Sequence, residues 1–179
     1  MRFDPTNAMV VIYAWPKPAM VSFALGRWLA GLGFGFDNPR VICLTRHDIH
    51  AAYNSGVAVA LGYHARLKRQ PFEQFIFVDN DMEPGSQTAE FLRAEQDVVS
   101  AMYPTGHAES WDHPYAFHTG LWRTHRKVLE TIRPPWFGYK YSEDGCSIVA
   151  CSCAMFRNKA VAAGFTVGHA GWAGHKPRT

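Results

Sequence analysis

The ten residues 75–84, Phe-Ile-Phe-Val-Asp-Asn-Asp-Met-Glu-Pro, constrain the fold of this 179-residue chain more tightly than any other stretch. Successive side chains of a strand point to opposite faces, so four apolar residues in a row, Phe75 to Val78, ask for cover on both. That is the condition of a parallel sheet flanked by helices. The run stops abruptly at Asp79-Asn80-Asp81. At the carboxyl end of such a strand residues i and i+2 share a side, which predicts two carboxylates about 7 Å apart. They would repel by roughly 2–3 kcal/mol at an effective dielectric of ~20. A divalent cation removes that cost, and the carboxyl edge of an open α/β sheet is where ligands bind. The competing reading is a solvated turn, because Asp, Asn, Pro and Gly are strong turn formers.

The remaining pattern alternates strands and helices. Strands are predicted over Met9–Ala14, Val41–Leu44, Phe75–Val78, Val98–Met102 and Phe165–Val167. Helices are predicted over Val21–Leu32, Ile49–Leu61, Ser86–Glu95, 121–132 and Cys153–Ala163, with Pro134-Pro135 and Gly164 as stop signals. The expectation is α/β, one domain over 1–179, with a mostly parallel layered sheet. A hydrophobic content of 47% with 18% charged residues excludes a disordered chain. The net charge of +3 suits a phosphate-bearing ligand without demanding nucleic acid. The basic clusters Arg66, Lys68, Arg69 and Arg123, Arg126, Lys127, Arg133 read as solvated helix faces. Cys43, Cys146, Cys151 and Cys153 match no common zinc spacing and no secretory signal precedes them, so reduced thiols and a cytoplasmic location are expected. The apolar stretch Ala19–Phe36 is too broken by Arg27 and glycines to span a bilayer.

Several segments in order along the chain resemble glycosyltransferases of the GT-A fold, the nucleotide-sugar-dependent type. Trp15-Pro16 sit where the family's first loop meets the nucleotide. Ala51–Leu61 is similar to its helix with an Ala-Arg-Asn core, with Tyr53 in place of the arginine. Asp79-Asn80-Asp81 matches the Asp-x-Asp metal motif, and Asp97–Pro104 resembles the strand that follows. His118-Thr119-Gly120 looks like the acceptor-side segment, and Gly174-His175 like the ending where a histidine completes the metal site. One departure stands out: Ser152-Cys153 occupies the place where many relatives carry an aspartate that serves as general base.

The resemblance implies a metal-dependent transferase moving a sugar from a nucleotide diphosphate sugar, UDP-linked by expectation, to an acceptor hydroxyl. Mn2+ or Mg2+ would be held by Asp79, Asp81 and His175, the imidazole favouring manganese. The donor would meet Trp15, Pro16, Asn54, Asp79 and Asn80, and the acceptor Trp111, His113 and Gly120. In an inverting enzyme the base would be Asp144, Glu143 or Asp112, whereas a retaining mechanism needs none. The short chain suggests an open groove and a large acceptor, and with the mild basic charge points to hydroxymethylated bases in DNA. The aromatic residues of 111–141 are expected mainly in the core. Two rival readings are a nucleotide-sugar-binding module without turnover and a phosphatase with an aspartate nucleophile.

Overall fold

The computed structural model describes residues 3–14, 21–35, 37–45, 48–104 and 116–176. They form a mixed α/β fold whose strands are β1 (Ala8–Ala14), β2 (Val41–Thr45), β3 (Gln74–Asp79), β4 (Met82–Pro84), β5 (Val98–Met102), β6 (Leu121–His125), β7 (Lys140–Tyr141), β8 (Ile148–Ala150) and β9 (Val167–His175). The helices are α1 (Phe23–Gly31), α2 (Ile49–Arg66), α3 (Ala89–Arg93), α4 (Arg126–Ile132) and α5 (Ser152–Ala162). Seven strands make one sheet in the order β2-β1-β3-β6-β5-β9-β4, and β7 and β8 pair as a separate hairpin. Five of the seven run the same way. Only β6 and β4 oppose them.

The apolar run of β3 is covered on both sides, as its composition demands. Phe75 and Phe77 face one core with Met9, Val11 and Tyr13, closed by α2, α4 and α5. Ile76 and Val78 face the other with Val10 and Ile12, closed by α1 and α3. The Phe77 and Trp122 rings stack 4.2 Å apart, a geometry worth about 0.5–1.5 kcal/mol beyond burial. The aromatic residues of the 116–137 stretch are core residues: Phe117, Trp122, Trp136 and Phe137 are all buried. Tyr139 and Tyr141 are exposed, on the β7–β8 hairpin and its approach.

Three sequence expectations need correction. Residues 121–132 are not one helix: Leu121–His125 is a central antiparallel strand and only Arg126–Ile132 is helical. Arg123, expected on a solvated helix face, is 2% exposed. Its guanidinium donates to the carbonyls of Phe91 and Ala94, which lets a charged residue sit in a strand covered on both sides. The last strand is also longer than Phe165–Val167. It runs nine residues from Val167, and its far half pairs with β4, a strand absent from the sequence reading.

That pairing folds the sheet over. The two residues Asn80 and Asp81 alone separate β3 from β4, so the strands lie within about 11 Å of one another. In the sheet order they are four places apart, which in a flat sheet would be about 19 Å. The bend falls in β9, whose first part pairs with β5 and whose last three residues pair with β4. Gly171 lies just before the change of partner, in the irregular stretch between His169 and Trp172, at φ +68, and a Cβ there would lie 2.7 Å from the Gln87 carbonyl oxygen. Only glycine fits the corner.

Candidate functional site

The carboxyl edge of the sheet gathers most of the polar groups singled out from the sequence. Asp79 is the last residue of β3 and Asn80-Asp81 form the turn into β4, while Gly120 precedes β6 and His175 ends β9. Three helices also start at this edge. Ser22 caps α1, its hydroxyl accepting the Leu25 N–H at 3.0 Å and donating to the Met82 carbonyl at 2.8 Å. Asp48 caps α2 and Cys151 caps α5. A helix N-terminus carries about half a positive charge and free N–H groups, and three directed at one edge favour an anionic ligand.

The strand does not carry the two aspartates side by side. The chain leaves β3 at Asp79, so the spacing of two residues turns them to different neighbours. Asp79 is 8% exposed. Its two carboxylate oxygens accept from the Tyr53 hydroxyl at 3.3 and 3.2 Å, and its N–H donates to Gly120 O at 2.8 Å. Tyr53, Tyr13 and Tyr103 all have their phenols pushed up, by burial first and by the Asp79 charge second. They remain protonated donors around a buried carboxylate. Tyr13 donates to the Tyr53 carbonyl at 3.3 Å, and Tyr103 accepts the Gly120 N–H at 3.1 Å. Gly120 is required by this crowding: a Cβ would sit 2.7 Å from the Tyr103 ring and 2.9 Å from Met82 Sδ.

Asp81 lies on the other side of the turn. Its Oδ2 is 3.5 Å from His175 Nε2, their side chains being 12% and 32% exposed. The antiparallel register sets this pairing, since Met82 faces His175 and the Lys176 N–H donates to Asp81 O at 3.0 Å. Two ligands about 2.0–2.3 Å from one ion sit roughly 3–3.7 Å apart. The spacing of the Asp81 and His175 donor atoms therefore fits a shared divalent cation. No group of three or more His, Cys, Asp or Glu side chains is placed for a metal among the described residues. An ion held by one carboxylate and one imidazole would complete its shell from a ligand's phosphate oxygens and water, as magnesium commonly does.

Other candidates fall elsewhere. Asn54 is occupied by the protein itself. It donates to His50 O and Phe137 O at 2.9 and 2.8 Å and accepts from the N–H groups of Trp136 and Phe137 at 2.8 and 3.1 Å. Its side-chain amide thereby pins the 136–137 loop. Asn80 is 7% exposed, its backbone bonded to Tyr13 O and to the Ser22 N–H. Glu143 and Asp144 stand exposed at the hairpin tip, where Asp144 accepts from Ser142 Oγ at 2.5 Å and the Cys146 N–H at 3.0 Å. Asp144 thus closes its own turn, and those two bonds hold its carboxyl below the usual range. Trp15, Pro16, Trp111, Asp112 and His113 lie outside the described residues.

Sequence reasoning passed over Tyr53, Tyr103, Thr119 and Ser22 as site residues. Tyr53 left a signal as the aromatic residue standing where the resemblance called for arginine, and Thr119 and Tyr103 lay inside segments that carried the resemblance without being singled out. Cys153 lies beside this cluster, its sulfur 3.5 Å from Thr119 Oγ1. No described helix is long and apolar enough to cross a membrane.

No family model matches the chain, and no curated protein matches it. Among solved structures, A197 from STIV aligns over 95% of this chain and 86% of its own, at 14% identity and a TM-score of 0.56. This likeness shows a shared fold and nothing of activity. The inositol-1-phosphate CTP transferase from T. maritima aligns over 95% of this chain and 89% of its own, at 9% identity and a TM-score of 0.46. A glycosyltransferase involved in glycosylation of the major capsid of PBCV-1 aligns over 72% and 69%, at 13% identity and a TM-score of 0.39. The last two scores are too low to bear on function. The class defined here is a mixed α/β fold with a polar, helix-capped carboxyl edge.

Proposed function

We propose that the chain is a metal-dependent transferase acting on a nucleotide diphosphate sugar, with glycosyl transfer to an acceptor hydroxyl as its reaction. The observation that carries this reading is the Asp81–His175 pair, 3.5 Å apart at an edge where α1, α2 and α5 begin. Asp81 and His175 would hold Mn2+ or Mg2+, with the imidazole favouring manganese. The cation supplies Lewis-acid neutralisation of the charge that builds on a departing diphosphate. The helix starts would offer N–H groups and positive dipole ends to the same anion. Asp79 would orient the donor from its fixed position against Tyr53, and Asn80 would shape the turn between the two carboxylates. Gly120 keeps this wall thin. A nucleophilic Asp79, as the phosphatase reading needs, is disfavoured by its burial and its bonds to Tyr53.

The test is a thermal-shift series with UDP-sugars, each with Mn2+, Mg2+ or chelator. Ligands that bind only the folded state raise its melting temperature by mass action. A rise that needs both one nucleotide sugar and the metal is expected, and no rise with any donor defeats the reading. Labelled-sugar transfer to duplex DNA carrying hydroxymethylated bases, against free saccharides, then sorts the acceptor. Binding without transfer would mark a non-catalytic module, the reading favoured by a cysteine at the start of α5.

A further inference from the structure

The four cysteines are all unbridged, in four different settings. Cys43 lies on edge strand β2, where burial pushes its thiol up. Cys146 is exposed in the β7–β8 hairpin. Cys151 is exposed and caps α5, its sulfur accepting the Ala154 N–H at 3.5 Å. Cys153 lies deeper, against Thr119 Oγ1. The neighbouring Cys153 side chain leads the influences that lower the Cys151 thiol to about 5, joined by amide N–H groups at the helix start and by His118, against an opposing effect of burial. The Cys151 side chain and burial push the Cys153 thiol up. The exposed sulfur thus sits at the helix start with an amide N–H on it, and a second, less exposed thiol follows one residue beyond Ser152.

Chain geometry permits a bridge. With Ser152 alone between them, the two Cα atoms are at most about 7 Å apart. Ser152 is already helical, which draws them closer, into the range that a disulfide spans. Exposure, thiolate character and an adjacent resolving thiol are the combination found in redox-sensing cysteines.

We propose that Cys151 and Cys153 form a peroxide-responsive dithiol, with Cys151 the sulfur that is oxidised and Cys153 the one that resolves it. The Cys151 thiolate attacks one oxygen of hydrogen peroxide; an S–O bond forms, the O–O bond breaks, and hydroxide leaves to take up a proton as water. The product is a sulfenic acid, two electrons more oxidised. The Cys153 sulfur then attacks the Cys151 sulfur while losing its proton. The S–S bond forms, the S–O bond breaks, and the hydroxyl leaves with that proton as a second water. Two thiols and one peroxide give one disulfide and two waters. This chemistry holds whether or not the neighbouring edge transfers sugar.

The test uses the whole reduced chain carrying Cys146→Ser, because Cys146, Cys151 and Cys153 share one tryptic peptide. A slight molar excess of hydrogen peroxide at neutral pH is expected to remove two mass units, mapped to a Cys151–Cys153 disulfide and restored by dithiothreitol. In the further variant Cys153→Ser, a sulfenic acid on Cys151 should persist and take up dimedone. In Cys151→Ser, peroxide consumption should slow at least tenfold. Iodoacetamide labelling of unaltered chain gives an independent readout: the Cys151 rate should stay flat between pH 6 and 8, whereas the Cys43 rate rises about tenfold per unit. Equal peroxide consumption with and without Cys151, or a Cys151 labelling rate that climbs alongside that of Cys43, overturns the assignment.

Discussion

Asp79 and Asp81 stand two residues apart and live in different surroundings. Asp79 is sealed at the end of a fully covered strand, with Tyr53 donating to both its oxygens and two further phenols close by. Asp81, also largely buried, sits beyond the turn near an imidazole from the last strand. The first carboxylate is tied to a tyrosine of α2 and the second lies against the last strand, and only the second would hold a cation in the function proposed above. Spacing in sequence did not imply a shared task, because the strand ended between them.

This contrast can be broken most directly at Asp81. Asp81→Asn should weaken metal-dependent donor binding by about 100-fold or more, at or beyond the upper end of losses seen for outer-shell partners of metal ligands. Its melting temperature without ligand should move little, since Asn keeps the side-chain size and an oxygen that can face His175. Calorimetric titration with manganese and a UDP-sugar checks the first, a melt without ligand the second. Equal donor affinity would erase the distinction.

The reverse pattern is expected at Tyr53→Phe. Loss of a donor to a buried carboxylate costs about 1.5–3 kcal/mol, and each kcal/mol lowers the melting temperature of a chain this size by about 2–4 °C. A denaturant titration that finds no loss would show that Asp79 does not depend on its phenol.

A smaller effect sharpens the Asp81 side. His175→Ala should reduce manganese affinity by about tenfold and narrow any preference for manganese over magnesium, because imidazole suits the softer ion. Competition between the two metals in the donor-binding assay reads this.

The smallest expected effect lies at the opposite edge of the sheet. Burial raises the Asp97 carboxyl, but bonds from Thr166 N at 2.8 Å and Thr166 Oγ1 at 2.7 Å outweigh it and leave it low. His125 is held low chiefly by burial, then by Arg123. Both groups therefore bind protons more readily in the unfolded chain. Stability should fall as pH drops below about 6.5 through the His125 range, and again below about 3.9 through that of Asp97. Urea melts of His125→Gln should lose the first decline and keep the second.

The parts of the fold legible in advance were those whose chemistry is local. Phe75–Val78 announced a doubly covered strand because nothing else accommodates four apolar side chains in alternation. Gly164 and Pro134 marked helix ends through their backbone preferences. Strand β6 was misread because Arg123 imitates an exposed helical position, and its two carbonyl partners are about thirty residues away in sequence. The meeting of Asp81 and His175 depends on the β4–β9 register, and both strands are short on the β-branched and aromatic residues that advertise a strand. Tyr53 could be noticed as unusual, but its bond to Asp79 is a tertiary fact.

The two-residue passage between β3 and β4 also limits how this chain can vary. Hairpin tips and surface turns normally absorb extra residues at little cost. Here one added residue between Asp79 and Met82 would displace β4 by about 3.3 Å along β9 and flip which of its side chains face inward. Asp81 would part from His175 and Met82 would leave the wall behind Gly120. Lineages descended from such a protein should lengthen almost anywhere else before they lengthen there.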